Sequence, residues 1–124
     1  MDIEETVRSY YNALEAGDPL GPYFHDAPST VKVGIWGAHR GHDAVVEALA
    51  RQTAKTTDWS VTSTALETDR IGEVGWFADD LEMAWRDTET GEAHRFEARW
   101  TGTVVRSAGE WRFATLHASA PHPR

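Results

Sequence analysis

Apolar residues recur along this chain with two different periods, and the change from one to the other falls near Thr57. Before it, Ile3, Val7, Tyr10, Tyr11 and Leu14 repeat at helical spacing, with Glu4, Glu5, Arg8 and Glu15 on the opposite face. Asp2 and Glu5 have the spacing of a capping box, and Gly17 supplies the left-handed stop. Asp18-Pro19 suits the start of a second, short helix that Gly21-Pro22 cuts off. Tyr23 and Phe24 are expected to pack nearby, and residues 25–28 form a loop. Val31, Val33 and Ile35 share one face of a short strand over 30–36, followed by a loop at 37–41 that carries His39 and Arg40. A third helix is predicted over 42–55. Val45, Val46, Leu49 and Ala50 are its apolar positions, and Asp43 lies at the positive end of its dipole.

After Thr57 the period drops to two. Strands are predicted over 59–67, 73–86, 94–106 and 111–119, with turns at Thr88-Glu89-Thr90-Gly91 and Ser107-Ala108-Gly109-Glu110. The second of these strands contains a change of phase. Val74 and Trp76 are apolar on even positions, whereas Leu81, Met83 and Trp85 are apolar on odd ones. An extra residue near Ala78-Asp79-Asp80 would repair the pattern, which predicts a β-bulge and a bend. The alternative is that Trp76 and Phe77 are buried on opposite faces.

Composition narrows the class. The chain has 124 residues, 40% of them apolar, with six Trp and a formal charge of −8. That is enough for one domain, over residues 1–124, with one core. The absence of Cys excludes disulfides, thiolate catalysis and Cys-ligated zinc. No apolar run approaches the ~20 residues of a membrane span, no signal peptide is evident, and a cytoplasmic location is expected. Net negative charge without a basic cluster argues against nucleic acid and anionic membrane as partners.

The closing strand carries a resemblance. Gly109, Trp111, Arg112, His117, Ser119 and Pro121 follow the form Gly-x-Trp-Arg…His-x-Ser-x-Pro. With Arg99-Trp100-Thr101, Val74-Gly75-Trp76-Phe77 and Gly41, this resembles the SnoaL-like branch of the nuclear-transport-factor-2-like superfamily. The resemblance implies a cone-shaped, cystatin-like α+β fold. Three N-terminal helices would pack on a strongly curved mixed or antiparallel sheet, with a pocket between. It also implies a homodimer through the sheet's outer face. The superfamily includes polyketide cyclases, ketosteroid isomerases and dehydratases. It also includes non-enzymes such as the association domain of calcium/calmodulin-dependent kinase II, whose closing strand is similar to this one.

Candidate chemistry follows from residue type and position. Asp79 and Asp80 sit in mid-strand, where acids are disfavoured. Facing the cone beside Trp76 and Trp100, one of them would serve as a general base; facing solvent, they would pair with Arg99 or Arg112. His42, at a helix start, and Tyr11 are candidate hydrogen-bonding partners for that base. His39 and His42 are three apart, but a metal site needs further ligands, so no metal is assigned. Trp36, Trp76 and Trp100 are candidate cavity walls, while Trp59 and Trp111 fit core or interface. Arg112 could anchor a ligand carboxylate or simply cover the core with its stem. His117 shares a predicted face with Trp111, Phe113 and Thr115 and is a candidate pocket residue or a structural one. The leading expectation is a cofactor-free isomerase, cyclase or dehydratase acting on a small apolar or polycyclic organic ligand. The alternative is a non-catalytic ligand-binding or association module.

Overall fold

The first helix, α1 (Ile3–Ala16), starts and stops where its signals place it. Asp2 accepts from the Glu5 N–H at 2.8 Å, Glu5 returns the bond to the Asp2 N–H, and Gly17 closes the helix at φ 75°. Its apolar stripe, from Ile3 to Leu14, is buried. The computed structural model describes residues 1–121; residues 122–124 of the expected domain lie outside the described residues.

The expected second helix does not form. Only a three-residue 3-10 turn, Gly21–Tyr23, occupies that stretch, so the fold has two α-helices rather than three. Pro22 removes a backbone donor, and Tyr23 is held from outside by a 2.7 Å hydrogen bond between its hydroxyl and that of Ser9. The predicted strand over 30–36 shortens to β1 (Val31–Val33). The predicted loop at 37–41 contains a second strand, β2 (Ala38–Arg40), paired antiparallel with β1. The other helix, α2 (His42–Lys55), follows.

Five further strands complete the sheet: β3 (Thr56–Ser63), β4 (Glu67–Ile71), β5 (Val74–Asp87), β6 (Ala93–Ser107) and β7 (Glu110–Ser119). The predicted strand over 59–67 is divided, because the chain turns at 64–66 and β3 and β4 pair with different halves of β5. The sheet order is β2-β1-β7-β6-β5-β3, with β4 beside β5. All pairs of strands are antiparallel except β1 with β7, which makes the sheet mixed.

The predicted bulge in β5 is absent. Pairing of β5 with β6 runs in one register from Val74↔Val105 to Arg86↔Ala93. Odd positions are buried from Gly75 to Trp85, and Val74 and Trp76 point outward at 47% and 44% exposure. The true change of phase is in β7. Val104 pairs with Phe113 but Thr103 pairs with Thr115, so Ala114 is the extra residue. Buried positions accordingly switch from Trp111 and Phe113 to Leu116 and Ala118. A second shift lies in β3 between Thr57 and Ser60. These two irregularities bend the sheet around α1, which lies against β3, β4, β5 and β7. The helix approaches β5 so closely that a Cβ at Gly75 would stand 2.4 Å from Ile3 Cδ1. Tyr10 fills the centre, edge-on to Tyr23, Phe24, Trp100 and Phe113.

Candidate functional site

Between α1, α2 and the inner face of the sheet lies a cavity of about 230 Å³. Its walls are aromatic. Trp59 and Trp85 stack at 4.7 Å between centroids, Tyr10 and Trp100 form the floor, and Trp36 stands edge-on to Trp85 at 5.7 Å. Trp36 is 71% exposed and so marks the mouth. Leu14, Ile35, Met83, Leu116 and Ala118 complete the apolar lining.

Besides Gln52 and Thr56, polar groups enter this lining at Lys32, Trp100 and Asp87. Lys32 is in register with the buried Leu116 on β7, so it faces inward while Val31 and Val33 align with the exposed Thr115 and His117. The sequence pattern of alternating valines pointed the other way; the parallel pairing of β1 onto β7 past its bulge decides the facing. Lys32 forms no ion pair among the described residues. Burial holds its ammonium below the usual lysine range. Trp100 is 5% exposed, and among the described residues no group accepts from its Nε1–H. By contrast, Trp59 Nε1–H donates to Thr56 Oγ1 at 2.7 Å.

At the rim, Asp87 contributes to the lining and meets His94 Nε2 at 2.9 Å. The His94 ring stacks on Trp85 at 5.0 Å, with Trp36 at 5.9 Å. Asp87, Glu92 and His94 bring three ligand atoms within 4.8 Å of one another, a donor set of two carboxylates and an imidazole that suits a divalent cation. No metal was assigned from the sequence, and this grouping was not foreseen. His39 and His42 do not belong to any such cluster among the described residues.

The other candidates disperse. Asp79 is 3% exposed but does not line the cavity. Its Oδ2 accepts from the Tyr11 hydroxyl at 2.9 Å and its Oδ1 from the Ala65 N–H at 3.1 Å. Burial, and then the bond to Asp79, push the Tyr11 hydroxyl well above the ordinary tyrosine range. This pair ties α1 and the β3–β4 bend to β5. Tyr11 touches Trp100 from behind at 5.6 Å but is not a wall of the cavity. Asp80 is on the outer face, 3.8 Å from Arg99, and its carbonyl holds Thr64. Trp76 shares that outer face, because no bulge reverses β5, and is therefore not a cavity wall.

His42 lies 3.5 Å from Asp26 and borders an open cleft on another side of the molecule, which Arg112 also borders. Arg112 donates to the Pro22 carbonyl and pairs with Glu110, so its head is occupied. His117 is exposed: the bulge at Ala114 separates its face from that of Trp111 and Phe113. Of the named candidates, only Trp36 and Trp100 line the central cavity.

The missed residues had signals of their own. Asp87 and His94 flank the predicted Thr88–Gly91 turn, and a hairpin centred there sets the end of one strand beside the start of the next. Lys32 is one of two lysines in the chain, and only its strand's partner reveals its facing.

The family model for the SnoaL-like domain matches residues 3–123. No curated protein sequence matches the chain. Among solved structures, a nuclear transport factor 2-like superfamily protein from Salmonella enterica superposes with TM-score 0.85 at 20% identity, covering 98% of this chain and 89% of that one. A ketosteroid isomerase-like protein from Erwinia carotovora gives 0.80 at 18% identity, covering 98% and 95%. A Xanthomonas campestris protein, provisionally named a calcium/calmodulin dependent protein kinase II association domain, gives 0.79 at 15%, covering 96% and 85%. At these identities the likeness is one of fold. Among the described residues, no helix is long and apolar enough to cross a membrane.

Proposed function

The chain belongs to the SnoaL-like domain family, and from that premise we propose that it binds a small, flat, largely apolar organic molecule inside its cone. The observation that carries this reading is the 230 Å³ cavity with four Trp side chains in its lining. A dry cavity of about 150 Å³ accommodates benzene, so this one suits a bicyclic ring system. Calorimetric titration with 2-naphthamide, a neutral bicyclic probe, tests it. Binding is expected in the wild type and more than tenfold weaker in Trp85→Ala. A probe that produces no heat with the wild type would remove the proposal.

Proton transfer without a cofactor is the reaction class that fits this cavity. Asp87 supports it, since it lines the cavity and is hydrogen-bonded to His94 behind it, an acid–imidazole pair able to take a proton from a ligand and return it. Asp79, Asp80 and His42, the candidates from sequence, have no access to a guest in the cone. Deuterium uptake at the acidic carbon of 2-tetralone, followed by NMR, is expected to be accelerated by the wild type and not by Asp87→Asn. Equal rates would leave a binding protein without this chemistry.

A second reading, self-association through the sheet, is supported by the outer face. Ile71, Val74 and Trp76 are 76%, 47% and 44% exposed, and cross-strand pairing sets Ile71 against Val74. A homodimer through this surface is compatible with a ligand in the cone, because the two faces of the sheet are independent.

A further inference from the structure

Resting on the reading that the cone holds a guest, we propose that Lys32 and the Trp100 indole N–H form an oxyanion-recognition site and that the guest is an aromatic carboxylate. The argument starts from donor chemistry. A lysine ammonium has three donors and no acceptor, and an indole has one donor and no acceptor. Both residues line the same cavity; Lys32 has no ion pair, and the enclosed Trp100 Nε1–H has no acceptor, among the described residues. Whatever completes them must bring acceptors and negative charge.

Position supports joint action. Strand β7 lies between β1 and β6. Lys32 is in register with Leu116, and Trp100 with Ala118, two residues further along the same strand. The two side chains therefore leave the same face of the sheet, diagonally across one intervening strand, with the small Ala118 between them. Strand spacing of about 4.8 Å sets their backbones roughly 10 Å apart laterally, a gap that the long lysine stem can reach across toward the indole ring.

Alternatives within the site are weaker. Asp87, the one carboxylate of the lining, is engaged by His94 rather than by Lys32. His39 lies across from Lys32 on β2, in register, and adds no negative charge. An ammonium among aromatic walls without a counter-ion is costly, and burial already depresses its protonation. A bound carboxylate would reverse that depression, so binding at alkaline pH would be accompanied by proton uptake.

The test compares 2-naphthoate with 2-naphthamide, which share ring and size but differ in charge. The wild type is expected to prefer the carboxylate by tenfold or more, with proton uptake seen as a dependence of binding enthalpy on buffer at alkaline pH. Lys32→Met is expected to erase the preference, lowering naphthoate affinity at least tenfold more than naphthamide affinity. Trp100→Phe should weaken carboxylate binding several-fold more than amide binding. Lys32→Gln serves if the Met variant folds poorly. Equal affinity of the wild type for both probes, or a preference that survives in both Lys32 variants, overturns the oxyanion site alone. Failure of both probes to bind overturns the cavity reading as well.

Discussion

Polar groups in two parts of this fold have opposite fates. Asp79 is enclosed by the Tyr11 hydroxyl and the Ala65 N–H, each carboxylate oxygen with a donor. Lys32 and Trp100 line a cavity, Lys32 with no ion pair and the Trp100 Nε1–H with no acceptor among the described residues. A buried group that the chain satisfies internally is a fastening. One left incomplete in a shaped cavity is a place for something else, because leaving it so carries a standing cost in stability. The comparison separates structure from proposed binding more sharply than residue type does, since an acid in mid-strand looked the more reactive of the two.

Removing the fastening gives the largest effect. Asp79→Ala strips acceptors from two buried donors and is expected to cost roughly 3 kcal/mol in denaturant unfolding. Affinity for 2-naphthamide of the fraction that remains folded should be unchanged. A loss of binding out of proportion to unfolding would mean that Asp79 belongs to the site and would collapse the distinction.

Lys32→Met should act in the other direction, raising stability by about 1 kcal/mol at neutral pH, since a desolvated ammonium is replaced by an apolar chain of similar length. The pH profile sharpens this. With its folded value lowered from 10.5, Lys32 binds fewer protons in the folded state than in the unfolded state across that window. Wild-type stability therefore gains from this group as pH rises toward 10.5, and the Met variant lacks the gain. Tyr10 and Tyr11 work oppositely above pH ~10, where the unfolded chain gives up phenolic protons that the fold retains. The two variants should thus be compared below that point. A Met variant less stable than the wild type would show that Lys32 is already satisfied.

The smallest effect is expected outside the cone. Trp76→Ser should change monomer stability by less than about 0.5 kcal/mol, as an exposed position does. Sedimentation should show a shift toward monomer if the outer face self-associates. An unchanged sedimentation profile would remove that surface from the association reading.

The helices and the final meander were legible in the sequence because each rests on local signals: the Asp2–Glu5 box, the period of α1, the turn at Ala108-Gly109. The second helix was not: Asp18-Pro19 offered a start and Gly21-Pro22 a stop, but the stretch between them is too short for a helical turn, and the chain forms only the 3-10 turn Gly21–Tyr23. The bulge was foreseen in kind and misplaced. Trp76 looks like core by composition, yet an outward Trp leaves no local mark, whereas the switch from Phe113 to Leu116 is a true parity change. The site was the least legible part. Lys32 faces inward only because β1 adds in parallel to the far side of that bulge, a pairing between residues more than 80 positions apart. Asp87 and His94 were recoverable from the turn between them, but each alone is an ordinary polar residue at a strand end.

The most direct test of an unsatisfied cavity is the indole N–H resonance of Trp100 in ¹⁵N-labelled protein titrated with 2-naphthoate. The resonance is expected to move downfield by more than those of Trp76 and Trp111, which lie outside the cavity. A Trp100 signal that stays in place while naphthoate binds would contradict the account.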